Sequence, residues 1–280
     1  MIHVVGLGAG VQSTTMVLMA ARGLITPMPE CAIFADTGAE PASVYKHLEW
    51  LMSPGLLPFP VRIVTVGNLR DVLLAFTRGE GGRGAHARPP FFVQNADGSR
   101  GMLRRQCTRD YKVDPINNEI SRIIGRGKHK RWPKKPVVEQ WIGISTDEAS
   151  RMKDSTIPAI RMRYPLIELG MSRKDCLKWH EATGYPQPPK SACTFCPYRH
   201  DDQWRSLRDN DPEGFAEAVT VDNALRSGVK WPGIDGSLFV HASLLPLEEV
   251  DLRTNAEKGL PEPAYQPNLF ENECEGMCGV

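Results

Sequence analysis

The period of the apolar positions switches repeatedly along the first third of the chain. Residues 2–6 form a short apolar run that ends in a glycine-rich turn, and residues 12–22 follow with Met, Val and Leu at helical spacing. The alternation then repeats. A second run, residues 31–35, ends at Asp36-Thr37-Gly38, a helical stretch covers 42–51, and a third apolar run covers 61–66. Short apolar runs alternating with helical patterns at this pitch predict βαβ units, hence an α/β fold with a doubly wound, Rossmann-like parallel sheet. Ligands of such sheets lie beyond the carboxyl ends of the strands. The turn from Gly6 to Ser13 and the pair Asp36 and Thr37 are expected there.

The remainder is less regular. Residues 79–100 are rich in Gly, Arg and Pro and read as a long loop or lid. Residues 107–124 turn helical again, 125–136 (GRGKHKRWPKKP) are basic and twice interrupted by proline, and 137–144 read as a buried strand leading into 145–152. Beyond Pro165 the chain reads as helical and loop-rich, with Trp179, Trp204 and Trp231 as core anchors. The expected division is a nucleotide-binding domain over 1–165 and a helical, cysteine-containing region over 166–280 with a flexible tail.

Composition narrows the class. A chain of 280 residues, 41% hydrophobic, can bury one sizeable core, and 34 basic against 33 acidic residues leave no global field to recruit nucleic acid or membrane. No apolar run reaches a bilayer span and the first residues lack a basic leader, so a cytoplasmic enzyme without a membrane partner is expected. Seven cysteines, two of them as Cys193-x-x-Cys196, suit metal ligands or redox thiols better than a disulfide framework.

The first chemical motif is Gly6-Leu-Gly8-Ala9-Gly10-Val-Gln12-Ser13-Thr14. Small residues let backbone N–H groups approach phosphate oxygens, the following helix N-terminus adds partial positive charge, and Ser13 and Thr14 can donate hydroxyls. No lysine follows the last glycine, so it is not a Walker A loop, and the third glycine falls at 10 rather than 11, which breaks the dinucleotide fingerprint. A tight strand-to-helix turn is the plainer account. The second motif, Phe34-Ala-Asp36-Thr37-Gly-Ala-Glu40, offers a carboxylate and a hydroxyl for a ribose, a base amine or Mg2+, or simply a cap for the next helix.

Together these motifs resemble the phosphoadenosine-phosphosulfate (PAPS) reductase branch of the adenine nucleotide alpha-hydrolase-like fold, the PP-loop ATP pyrophosphatases, and most closely their phage-encoded members. Gly8-Ala-Gly-Val-Gln-Ser13 stands where that family carries Ser-Gly-Gly-x-Asp/Lys-Ser, and Asp36-Thr37-Gly38 matches its second motif. Arg105-Gln-Cys107-Thr-Arg-Asp-Tyr-Lys-Val-Asp-Pro115 resembles its cysteine segment. Gly143-Ile-Ser-Thr-Asp-Glu148-Ala-Ser-Arg151 resembles its nucleotide loop, and Tyr164-Pro-Leu-Ile with Trp179 also fits, so the likeness spans about residues 2–200. It departs at Gln12, where the family has a charged residue, and at Gly8, where it has serine; this leaves ATP or a sulfated adenosine (PAPS or APS) open as the nucleotide.

The resemblance implies roles for the thiols. Cys107, Cys193 and Cys196 match the three-cysteine 4Fe–4S pattern of cluster-dependent tRNA thiolation enzymes on this fold. The four-cysteine pattern of adenosine-phosphosulfate reductases needs a Cys-Cys pair where this chain has Gln106-Cys107. Zn2+ with His200 as a further ligand, or a ligand-free pair, are the alternatives. Cys31 and Cys176 read as core residues. The tail, Glu273-Cys274-Glu-Gly-Met-Cys278, resembles the Glu-Cys-Gly ending with which sulfonucleotide reductases attack sulfur; such a thiol needs a nearby cation, for which Arg104, Arg105 and Lys112 are candidates, or it is a dispensable solvated tail.

Arg151, with Arg161 or Arg163, suits phosphate or sulfate oxygens. The basic run 128–135 with Trp132 either contacts nucleic acid or is a solvated loop. The implied function is ATP-dependent adenylation and sulfur transfer to a nucleic-acid or nucleotide acceptor, with a cysteine desulfurase or thiol reductant as partner and a homodimer as a candidate assembly. The rivals are a sulfonucleotide reductase releasing sulfite and a nucleotide- or cluster-sensing module without turnover.

Overall fold

The computed structural model describes residues 1–80, 88–127, 129–227, 231 and 233–261. Its main sheet has five parallel strands in the order β3-β2-β1-β6-β7, formed by β1 (Ile2–Leu7), β2 (Cys31–Asp36), β3 (Val61–Thr65), β6 (Val138–Trp141) and β7 (Ile160–Arg163). The apolar runs become the inner strands because both of their faces are covered. Side chains alternate between two cores: Val5, Leu7, Ala32, Phe34 and Trp141 face one, while Val4, Ile33, Val138 and Ile160 face the other.

Helices α1 (Val11–Ala21) and α2 (Ala42–Leu51) cover the first face, and α4 (Asp114–Ile123) covers the second through Ile116 and Ile120. Apart from Gln12, helix α1 is apolar or small around its circumference, and it is buried from Val11 to Ala20, the pattern of a helix enclosed on all sides. Its outer side is closed by α6 (Arg173–Thr183), which brings Cys176 into the same core. The connections change face between β1 and β6, so a switch-point crevice falls at the carboxyl ends of these two strands.

The reading of residues 79–100 as one long loop requires correction where the chain is described. Residues Phe92–Asn95 form β4 and Arg100–Met102 form β5, a hairpin whose turn holds Gly98 at φ 80°, with Asp97 Oδ1 accepting from the Ser99 amide at 2.9 Å. Strand β4 also pairs antiparallel with β8 (Gly236–Phe239). A β-carbon at Gly236 would lie 2.4 Å from the Gln94 carbonyl oxygen, so only glycine lets β8 approach this closely. The short β7 was also not anticipated.

A third core joins this small sheet to α3 (Leu69–Thr77), α7 (Asp201–Asn210) and α8 (Pro212–Leu225), around Phe91, Phe195, Trp204 and Trp231. Trp204 and Trp231 are buried as expected, and Trp179 packs half-buried against the α1 core. The buried Asp222 ties this region together by accepting from the amides of Val240 (2.8 Å) and Leu247 (2.9 Å). Cores on both sides of residue 165 are shared: Leu166 and Cys176 lie in the α1 core, and Leu69, Phe91 and Tyr111 lie with the C-terminal helices. Among the described residues no helix is long and apolar enough to cross a membrane.

Candidate functional site

The glycine turn after β1 folds as a compact ring. The Gly8 amide donates to Ser13 Oγ at 3.2 Å, and that hydroxyl donates to the Gly10 carbonyl at 3.4 Å. Ala9 takes a left-handed conformation, φ 57°, which costs a non-glycine residue energy and marks the turn as constrained by its surroundings. Gly10 is the extended N-cap of α1, with no side chain capping the helix and no acidic residue in its first turn. Amides 11–13 therefore begin a helix whose dipole favours an anion.

The segment after β6 lies over this turn. Gly143 approaches so closely that a β-carbon would stand 2.8 Å from the Ser13 nitrogen. Gln12 Nε2 donates to Ser145 Oγ at 3.3 Å and to Glu148 Oε2 at 3.2 Å, and Glu148 pairs with Arg151. Residues 6–14 are all buried. Thus Gly6, Gly8, Ala9, Gly10, Gln12, Ser13, Gly143, Glu148 and Arg151 meet at the switch point, with the turn covered by the segment after β6. The Thr14 hydroxyl points elsewhere, to His47 Nε2 at 3.1 Å.

Strand β2 delivers the second motif. Asp36 Oδ1 accepts from the Gly38 amide at 2.7 Å and from the Tyr45 hydroxyl at 2.8 Å, so this oxygen organises its own turn. Neither Asp36 nor Thr37 caps α2, whose N-cap is Pro41. Thr37 instead turns to the cysteines, its Oγ1 lying 3.4 Å from Cys193 Sγ.

Cys107, Cys193 and Cys196 line one cavity together with Thr37, Arg105, Thr108 and Lys112. Cys193 and Cys196 belong to one tight turn, closed by the Cys196 amide donating to the Cys193 carbonyl at 3.0 Å. Behind them a buried ion pair joins Lys112 Nζ to Glu40 Oε1 at 3.2 Å, and Glu40 Oε2 has no hydrogen-bond partner among the described residues. Burial pushes the Cys193 thiol well above its ordinary range, the Glu40 carboxylate adds to this, and the Lys112 ammonium opposes it.

Three cysteine sulfurs thus line one cavity, with the buried cation Lys112 beside them and the buried Arg199 donating to the Cys193 carbonyl. The space between them is about 20 Å³, room for a single water, so a larger group requires these side chains to turn outward. Among the described residues no group of three or more His, Cys, Asp or Glu side chains could hold a single metal ion. His200 is exposed and caps α7, engaged with Gln203.

Other expected residues are engaged elsewhere. Arg161 is bound to Glu139, and Arg163 to Glu168 and to the Thr26 carbonyl. Trp132 packs on the α4 core beneath Arg126, 4.4 Å from its ring centroid. Cys31 and Cys176 are buried core residues. Cys274 and Cys278 lie outside the described residues, as does Lys128 of the basic run. Glu40, Arg199 and Tyr198 were not singled out from the sequence, although Pro-Tyr-Arg-His directly after a Cys-x-x-Cys turn was a usable signal.

No protein-family model matches the sequence, and no curated protein matches it. Among solved structures, the chain is similar to the crystal structure of phosphoadenylyl-sulfate (PAPS) reductase from Candida auris in its phosphate complex, with 12% identity over 67% of this chain and 74% of that chain and a TM-score of 0.41. The α/β fold itself rests on the strand order and helix placement described above.

Proposed function

We propose that this protein is an adenine-nucleotide-dependent enzyme of sulfur chemistry that adenylates an acceptor oxygen and then replaces it with sulfur. The observation that carries the reading is the convergence of Cys107, Cys193 and Cys196 with Thr37 on one cavity at the carboxyl edge of the sheet, the edge on which β1 ends in the glycine turn. On this reading ATP binds with Mg2+ across the α1 N-terminus, and Arg151 exchanges Glu148 for a phosphate. Gln12 and Glu148 release each other as the segment after β6 lifts.

An acceptor oxygen attacks the α-phosphorus, the α–β P–O bond breaks and pyrophosphate leaves. A sulfur nucleophile, the terminal sulfur of a persulfide supplied by a desulfurase or thiol partner, then attacks the acceptor carbon and AMP departs with the oxygen. A second thiol opens the remaining S–S bond, which releases the thiolated acceptor and leaves a disulfide on the carrier. Adenylation turns a poor leaving oxygen into a good one. Cys107, Cys193 and Cys196 would hold a 4Fe–4S cluster, which would supply an iron able to carry sulfide. Lys112 and Arg199 balance thiolate charge there, and Cys274 or Cys278 would carry sulfur on the tail.

The test is product analysis with ATP labelled at the α-phosphate, after anaerobic purification with iron and sulfide analysis. AMP and pyrophosphate release, lost in Ser13→Ala plus Gly10→Val, is the expected result; unchanged release in that variant would count against the assignment. Sulfite from a phosphosulfate, without α–β cleavage, would favour the reductase alternative. Tight nucleotide binding with no product over hours would favour a sensing module.

A further inference from the structure

A second cavity, of about 360 Å³, lies between residues 197–200, which follow the Cys193–Cys196 turn, and the β4–β5 hairpin. That volume falls in the range of small-ligand sites. Its wall carries two aromatic rings with an arginine near each: the Arg100 guanidinium is 5.8 Å from the Phe92 centroid, and that of Arg105 is 5.6 Å from the Tyr198 centroid. Tyr198 lines both this cavity and the thiol cavity, so it forms a shared wall.

Arg199 also lines the second cavity and is only 8% exposed. Its Nη2 donates to the carbonyls of Ala192 (2.7 Å) and Cys193 (3.3 Å), whereas its Nε has no hydrogen-bond partner among the described residues. A guanidinium this buried, donating to neutral carbonyls, leaves positive charge at the cavity wall. His200 adds a further donor, and no carboxylate is found among the described residues lining either cavity. Cations without carboxylates select an anion, and ring faces beside them select a flat unsaturated body. One base with its phosphate meets both demands.

We infer that this cavity binds one nucleotide unit of the acceptor, with its base against Tyr198 and its phosphate toward Arg199 and Arg100. The unit is a free nucleotide or part of a single strand. This deepens the function proposed above and rests on it only for the role of acceptor. The shared Tyr198 wall would then bring the base to the edge of the thiol cavity.

The test uses the full chain, without ATP, and the anisotropy of a fluorescein-labelled eight-residue thymidine strand, with thymidine monophosphate as competitor. Tyr198→Ala should weaken binding roughly 5- to 150-fold, the effect of losing one base stack, while Tyr198→Phe retains it. Arg100→Gln, at an exposed position, should lower the salt dependence by about one ion and carries the test if Tyr198→Ala fails to fold. Competition by the monophosphate at concentrations that match the strand supports a free-nucleotide acceptor; binding of the strand alone supports a strand. The inference is overturned if neither ligand binds, if both variants bind like the parent, or if the loss follows Lys134→Ala plus Lys135→Ala instead. Because no turnover is measured, a negative result leaves AMP release unaffected, and absence of AMP release leaves this binding result standing.

Discussion

Gly143→Ala tests the closed junction at the switch point. The added methyl would lie 2.8 Å from the Ser13 nitrogen and 2.9 Å from its Cα, both backbone atoms of the first turn of α1. Ordinary contact begins near 3.4 Å, so the overlap is about 0.6 Å against backbone rather than a pliable side-chain tip. Helix α1 is enclosed by the sheet and α6 and cannot retreat, so the segment after β6 must shift. Overpacking of this kind costs about 1–3 kcal/mol, a large share of the roughly 5–15 kcal/mol that holds a domain folded. Urea unfolding should show this loss, and the Gln12–Glu148 contact should loosen with it. Gly101→Ala is the control, since its methyl would meet neighbours at 3.6 and 3.7 Å and should change stability by less than about 0.5 kcal/mol. Equal unfolding midpoints for Gly143→Ala and the parent would refute the close approach of the two segments.

Three further outcomes follow from the buried polar groups. Burial, aided by the nearby His180, lowers the His47 pKa to about 4, so the unfolded chain binds the proton more readily; stability should be full above pH 6.5 and fall as pH drops toward 4, by up to about 3 kcal/mol for this group. His47→Gln should flatten that part of the pH dependence of unfolding, and an unchanged profile would exclude His47 as its source. Lys112→Met leaves Glu40 buried without its partner and should destabilise by about 3–5 kcal/mol in denaturant titration, with Glu40→Gln added to it recovering most of the loss; equal destabilisation by the double variant would argue against the pair. Cys193, raised by burial, should react with iodoacetamide at pH 8 far more slowly in the folded chain than in denaturant, and equal rates by mass spectrometry would contradict its enclosure.

Much of the main sheet was legible because parallel inner strands must be apolar on both faces, which isolates them as short runs between helical periods. The bounds of α2 agreed to the residue, and β1, β2 and β3 to within one residue at each end. The glycine turn and Asp36-Thr37 were legible as strand-end motifs for the same reason. The hairpin of β4 and β5 was not, since its strands are only four and three residues long and β4 owes its second partner to β8, about 140 positions further on. No local periodicity records such a pairing.

The sequence by itself determined which residues form the inner strands, where their chemical ends lie and which thiols have a local partner, because periodicity and short-range spacing are local properties. Only the tertiary structure decided that Thr37 and Cys107 meet the Cys193–Cys196 turn, that Glu40 pairs with Lys112, and that Gly143 and Glu148 cover the glycine turn. Those contacts join segments 70 to 156 residues apart. They depend on strand order and on which helix covers which face, and these are settled by the packing of the whole chain.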